Sequence, residues 1–256
     1  MSLLKNILAL FTGKPRPKIT SPLLRLILNR RSCRAFTDAP VTGDELDTIL
    51  EAGRFAPSTV NLQTWSFFPF SREQWRETFE RPIPFKGDSA IIICADTHRI
   101  SDLMPDFNDT PYLNLSFALF NAGLAAMNMT MTAEALGIRS IMLSETGRTG
   151  LLDISYLQKT LDLPEGVLPV TTLVLGRSGK PGPGIPPRQP FTSTIMAKSY
   201  NRNAADGLKD WFAQMFVGYK ISHPFSSFDK QLKLYRSKMI TAETDLKNHF
   251  TSSRKN

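Results

Sequence analysis

Arg30, Arg31 and Arg34 stand around a single hydroxyl, that of Ser32. Guanidinium forks take phosphate oxygens in pairs, and a serine adds a neutral donor. Further along, Pro57-Ser58-Thr59-Val60-Asn61-Leu62-Gln63 offers a turn that carries two amides. Asn61 and Gln63 each hold both donors and acceptors, so they can match the polar edge of a flavin or a pyrimidine. An anion anchor beside amide hydrogen bonding is what a phosphorylated heterocyclic cofactor needs. Each half alone has an ordinary reading, because basic clusters usually sit in solvent and Asn and Gln are common in turns. Their joint occurrence, linked by one capped helix, strengthens both.

Other chemistries find less support. His98, His223 and His249 are scattered, and no His/Cys/Glu spacing suggests zinc. Nothing pairs with His98 as a hydrolytic triad would require. No Gly-x-Gly-x-x-Gly follows a strand. Gly176-Arg-Ser-Gly179-Lys180 hints at a phosphate loop, but the spacing is wrong and Pro181 follows where a helix should begin. The expectation is a site with no catalytic acid–base residue and no metal.

The positioning elements read as follows. Ser21-Pro22 opens a helix with an N-cap and a proline at its first position, and Leu23, Leu24, Ile27 and Leu28 form its apolar face. Thr42 and Glu45 form a capping box before Leu46, Ile49, Leu50 and Gly53 at helical spacing. Ala56-Pro57 ends that helix. Strands are expected at 65–70, 90–95, 138–143 and 170–175, the second of them apolar throughout and so covered on both faces. Residues 114–136 form a long helix of small and apolar residues, 98–109 read as a loop or lid, and 98–112, with Phe107 and Tyr112, is the expected substrate-side lid. Helices mixed with strands, without clean alternation, argue for α+β architecture rather than a doubly wound parallel sheet.

The chain has 256 residues and a formal net charge of +8. Residues 1–37 carry eight Lys/Arg and no acid, residues 38–196 net −6, and residues 197–256 net +6. The basic character belongs to the ends, where phosphate, nucleic acid or anionic lipid could be drawn; solvated charge on peripheral helices is the plainer reading. Cys33 and Cys94 are too few for a disulfide framework and fit a reducing compartment. Leu3, Leu4, Ile7, Leu8 and Phe11 share a helical face, suited to docking on the body or a partner subunit, or less readily to peripheral membrane contact.

Arg-Arg-Ser-x-Arg-x-Phe, a capped helix, then Ala-Pro-Ser-x-x-Asn-x-Gln-x-Trp resembles the FMN-dependent nitroreductase family. Residues 123–141 are similar to its central helix and following strand, 163–176 to its late Leu-Pro-x-Gly turn and strand, and Arg188-Gln-Pro190 to its closing basic residue. The resemblance implies an α+β sandwich with a mainly antiparallel sheet, helices on both faces, and an intertwined homodimer. It implies FMN as cofactor, held at the phosphate end by Arg30, Arg31, Ser32 and Arg34, with Arg188 as a further phosphate contact. Asn61 and Gln63 would bind the ring, Pro57 and Ser58 would approach from the partner subunit, and Thr146 and Gly147 would bring backbone to the flavin's reactive nitrogen. Electrons would come from NAD(P)H and pass to a nitroaromatic or quinone in the cytoplasm. The family usually has Pro where Thr64 stands. The implied domains are a basic N-terminal extension at 1–20, an FMN-binding domain at 21–196 and a basic helical extension at 197–256. Two alternatives stay open: a flavin-binding protein without nicotinamide-dependent turnover, and a binding protein acting through its basic ends.

Overall fold

The computed structural model describes residues 21–144, 150–179, 187–200 and 208–252, the side chains of 222 and 249–252 excepted. The N-terminal amphipathic face, Thr146, Gly147 and residues 180–186 lie outside the described residues. Contacts divide the described chain into two units. One comprises 23–144, 150–179 and 238–252, and the other 21–22, 187–200 and 208–237.

The larger unit is built on four strands, β1 Trp65–Phe70, β2 Ser89–Asp96, β3 Arg139–Leu143 and β4 Val167–Gly176. They lie in the order β1-β2-β4-β3 and every pairing is antiparallel. Every residue of β2 is buried, as its unbroken apolar sequence requires for a central strand packed on both faces. Because successive side chains alternate, Ile91, Ile93 and Ala95 enter one core and Ala90, Ile92 and Cys94 the other. Burial pushes the Cys94 thiol pKa up, so this residue behaves as a small hydrophobe.

The first core is covered by α2 Gly43–Arg54 and the central α5 Pro111–Ala135; α1 Pro22–Asn29 precedes them. Alanines at 118, 122, 126 and 133 keep α5 close to the sheet, and Gly53 lies directly against the Met129 side chain, which a Cβ there would displace. Leu246, near the end of the chain, packs on the same core. The second core is covered by α3 Arg72–Phe79 and α6 Ile154–Thr160, through Trp75, Phe79 and Leu157. The fold is thus α+β, with an antiparallel sheet and helices on both faces, as expected. Residues 98–109 differ from the expected loop: α4 His98–Leu103 is followed by a 3-10 segment at Pro105–Asp109. Six residues are too few for a 3.6-residue period to register.

The smaller unit holds α7 Phe191–Thr194, α8 Leu208–Ser222 and the first part of α9 Phe228–Ser252. Its aromatic cluster joins Phe212, Phe216 and Tyr219 to Phe228. Among the described residues no helix is long and apolar enough to cross a membrane.

Candidate functional site

The arginine cluster follows α1 and is fixed by backbone. Ser32 bridges Ser140 on β3 in parallel, and the Cys33 N–H donates to the Ser140 carbonyl at 2.9 Å. Thr37 N–H donates to Arg177 O, so residues 32–37 follow the sheet from β3 toward the end of β4. Phe36 packs into the second core, its ring over Gly176, where a Cβ would come within 2.8 Å of it. The Phe of the motif is therefore an anchor that holds the arginines at the sheet edge. Arg30, Arg31 and Ser32 are half-buried and Arg34 is exposed.

Two residues that the sequence did not single out complete this region. Glu134, buried at the end of α5, accepts from Arg139 Nη1 at 2.6 Å. Burial pushes the Glu134 pKa up, against the pull of Arg139, Arg30 and Arg31. The cationic cluster thus has one internal carboxylate among its neighbours. Arg177, from the glycine-rich stretch that hinted at a phosphate loop, instead pairs with Glu45 and donates to the Leu136 carbonyl. It ties α2, the end of α5 and β4 together.

The second motif forms a turn with an unusual backbone. Val60, Asn61 and Gln63 have φ of 52°, 59° and 50°, all in the left-handed region. Asn tolerates this; a β-branched residue such as Val60 does so only when the surroundings impose it. Those surroundings are visible. The Ser58 hydroxyl accepts from Gln63 N–H at 3.1 Å, closing the turn on itself. Asn121, on α5 and 1% exposed, accepts from the Thr59 N–H at 3.1 Å and the Thr59 hydroxyl at 3.2 Å, and donates to the Thr64 hydroxyl at 2.9 Å. Thr64, the departure from the family pattern, is therefore bonded to a buried amide that a proline could not engage. Beyond the turn, Ser66 bonds Asp96, and Arg99 spans Asp96 and the Trp65 carbonyl.

Of the predicted site residues, Pro57, Asn61 and Gln63 are exposed and Ser58 is half-buried, all on this one turn. Gln63 Nε2 lies 3.4 Å from Asn61 Oδ1, so the two amides present one polar patch. The turn and the arginines stand at opposite ends of the 34–57 segment that contains α2. Arg188 is exposed in an extended stretch of the smaller unit. Sequence reasoning missed Asn121; a polar residue inside an otherwise apolar, alanine-rich helix was the signal available.

Behind the turn lies a cavity of about 310 Å³. Leu62, Ile100, Met104, Phe107 and Phe117 give it apolar walls, and Thr59, Thr64, Ser101, Asn114 and Asn121 its polar groups. Phe107 is among the residues that line it, whereas Tyr112 is not and is 54% exposed.

Residues 27–84 match the family model described as Nitroreductase family. The chain is 24% identical over 225 residues to "FMN reductase (NADPH)" of Bacillus subtilis, covering 83% of this chain and 82% of that one. It is 27% identical over 188 residues to "Oxygen-insensitive NADPH nitroreductase" of Salmonella typhimurium, covering 70% and 75% respectively. Among solved structures, the nitroreductase NfrA1 of Bacillus subtilis aligns with a TM-score of 0.73 at 24% identity, over 90% of this chain and 98% of its own. The matched segment spans both site motifs, and the chain is similar over most of its length to proteins named as FMN reductases and nitroreductases, sharing their fold.

Proposed function

We propose that this protein is an FMN-dependent oxidoreductase that takes electrons from NAD(P)H and passes them to an electron-poor small molecule of the nitroaromatic or quinone class. The carrying observation is the pairing of two unlike polar sites on one scaffold of sheet and helices: three arginines and a serine at the sheet edge, and two amides on a braced turn. The donor chemistry fits the cofactor. Guanidinium groups and a hydroxyl suit a phosphate dianion, and amides suit the donor–acceptor edge of an isoalloxazine. Arg30, Arg31, Ser32 and Arg34 bind the phosphate, and Asn61 with Gln63 orients the ring. When bound, FMN supplies the two-electron chemistry that no side chain here can perform. For a quinone, NAD(P)H and one proton yield the hydroquinone and NAD(P)⁺.

The working form is a homodimer in which Pro57 and Ser58 reach the partner's flavin. This reading draws support from apolar side chains that one chain leaves in solvent along α5: Leu113 at 56%, Phe117 at 43% and Phe120 at 60% exposed.

The direct test is Arg34→Glu, followed by FMN titration. Losing a charge-assisted bond and placing a carboxylate there should weaken FMN binding by about 10–100-fold, while riboflavin, which lacks the phosphate, should bind as before. Retained FMN affinity would show the cluster to be misread. Anaerobic addition of NADPH to the yellow protein should bleach the flavin band within seconds; persistent colour would remove the nicotinamide step.

A further inference from the structure

Beside the arginines of the sheet edge lies a carboxylate that the ligand contacts assigned above do not use. We propose that Glu134 is an internal competitor of the phosphate: its buried carboxylate draws on the same guanidinium groups, and a phosphorylated ligand binds more tightly when Glu134 is protonated. The proposal rests on the functional reading for the ligand's identity, though not for the competition.

The Glu134 side chain is 5% exposed. Its Oε2 accepts from Arg139 Nη1 at 2.6 Å, while its Oε1 is buried with no hydrogen-bond partner. An ionised carboxylate can accept about four hydrogen bonds, and buried polar atoms are as a rule bonded. Here one of the two oxygens stands unspent near cations. Arg139 opens β3, one residue before Ser140, and Ser140 is the residue that Ser32 bridges. The backbone that carries Arg30, Arg31 and Ser32 therefore runs alongside the start of β3, where Glu134 is bonded. Arg31 also spends Nη1 on the Leu28 and Arg30 carbonyls, at 3.2 and 2.7 Å, so part of the cluster's donor capacity goes to the end of α1.

Among the described residues, the charged groups around Glu134 are Arg139 on β3, Arg30 and Arg31 after α1, and Arg177. Arg177 bonds the Leu136 carbonyl, two residues on, and is itself paired with Glu45. An ionised Glu134 cancels part of the positive potential that the arginines offer a dianion, and burial limits the screening of that effect. Burial holds the carboxyl above its usual range, and Arg139, Arg30 and Arg31 pull it back. A phosphate among these arginines offsets their pull, so binding raises the Glu134 pKa further and takes up a proton. The affinity due to this group is therefore highest below the pKa of the free protein. It falls as pH rises toward the pKa of the complex and is level above it. The ligand's own phosphate titrates near pH 6, roughly, with the opposite effect, which is the same for native protein and variant.

The test is FMN titration of the full-length protein between about pH 5.5 and about pH 8, native against Glu134→Gln, with riboflavin as the control. At the alkaline end Glu134→Gln should bind FMN about 5–20-fold more tightly than the native protein, the size of one charge acting over a partly screened distance. The gap should narrow with acid, and riboflavin should bind both proteins alike. Isothermal titration with sulfate, a dianion throughout this range, makes the same comparison without FMN. Its affinity for the native protein should rise with acid, and its affinity for Glu134→Gln should not. Equal FMN affinity of the two proteins at the alkaline end, weaker FMN binding by Glu134→Gln, or a gap that ignores pH would each overturn the proposal. If Glu134→Gln does not fold, the native sulfate profile decides, and a flat one overturns it too. Failure of the native protein to bind FMN, with sulfate behaving as expected, would instead defeat the functional reading and leave the competition standing.

Discussion

The two halves of the site are built by opposite means. The arginine end is a stretch of extended backbone laid against β3, with Phe36 as its buried anchor and charge as its working property. Its geometry is ordinary, and the phosphate contact proposed for it would be made by side chains. The turn end concentrates three left-handed residues in four positions and is held by a buried amide from another element. The ring contact proposed for it would depend on backbone shape, because that shape sets where Asn61 and Gln63 stand. A charge cluster tolerates small displacements, since Coulomb attraction falls slowly with distance. A hydrogen-bonding edge does not, since such bonds weaken steeply with angle.

The sharpest way to break the comparison is Asn121→Leu. It leaves the Thr59 N–H and the Thr64 hydroxyl without their buried partner, at a cost of about 2–4 kcal/mol. We expect the Tm to fall by about 5–10 °C, and FMN and riboflavin to lose affinity alike, because the ring end is damaged. Arg34→Glu affects FMN alone. If Asn121→Leu discriminated between the two ligands, the ring and phosphate ends would not be separable in this way. A smaller effect of the opposite sign is expected at Val60, whose left-handed backbone costs about 1–3 kcal/mol. Val60→Gly removes that strain but adds freedom to the unfolded chain, for a net gain of about 1 kcal/mol. Urea unfolding measures it, and a loss of stability would show that the Val60 side chain contributes packing that its 84% exposure does not suggest.

The smallest effect concerns the frame shared by both ends. The Glu45 carboxyl is held below its usual 4.5, first by the Thr42 N–H and then by the Arg177 guanidinium. Because its folded pKa is depressed, its contribution is present above pH 4.5 and is lost as pH falls through the folded value. The Tm gap between the native protein and Glu45→Gln should therefore be largest near neutrality and close with acid. A gap independent of pH would assign the effect to lost packing.

Much of this arrangement was open to a reader of the chain. The apolar run at 90–95 could only be a central strand, the Thr42/Glu45 capping box marked the helix between the two motifs, and the arginines drew attention by type. The short α4 was hidden because six residues carry too little periodicity. Arg177 could not be understood locally. Its glycine-rich neighbours suggested a phosphate loop, whereas its partners, Glu45 and the Leu136 carbonyl, are remote in sequence. Asn121 looked like one polar residue in an apolar helix, and nothing nearby in sequence says that its amide meets Thr59 and Thr64.

The amino-acid sequence by itself determined which chemistry was available: cations and a hydroxyl at one end of a capped helix, amides at the other, and apolar strands to carry them. Those are properties of residue type and short spacing, which local physics reads directly. Tertiary structure alone decided how the amides are presented, through Asn121 and three left-handed residues, and what lies behind them, a small cavity with largely apolar walls. Both depend on contacts between α5, α4 and the turn, elements distant along the chain, and only packing brings them together.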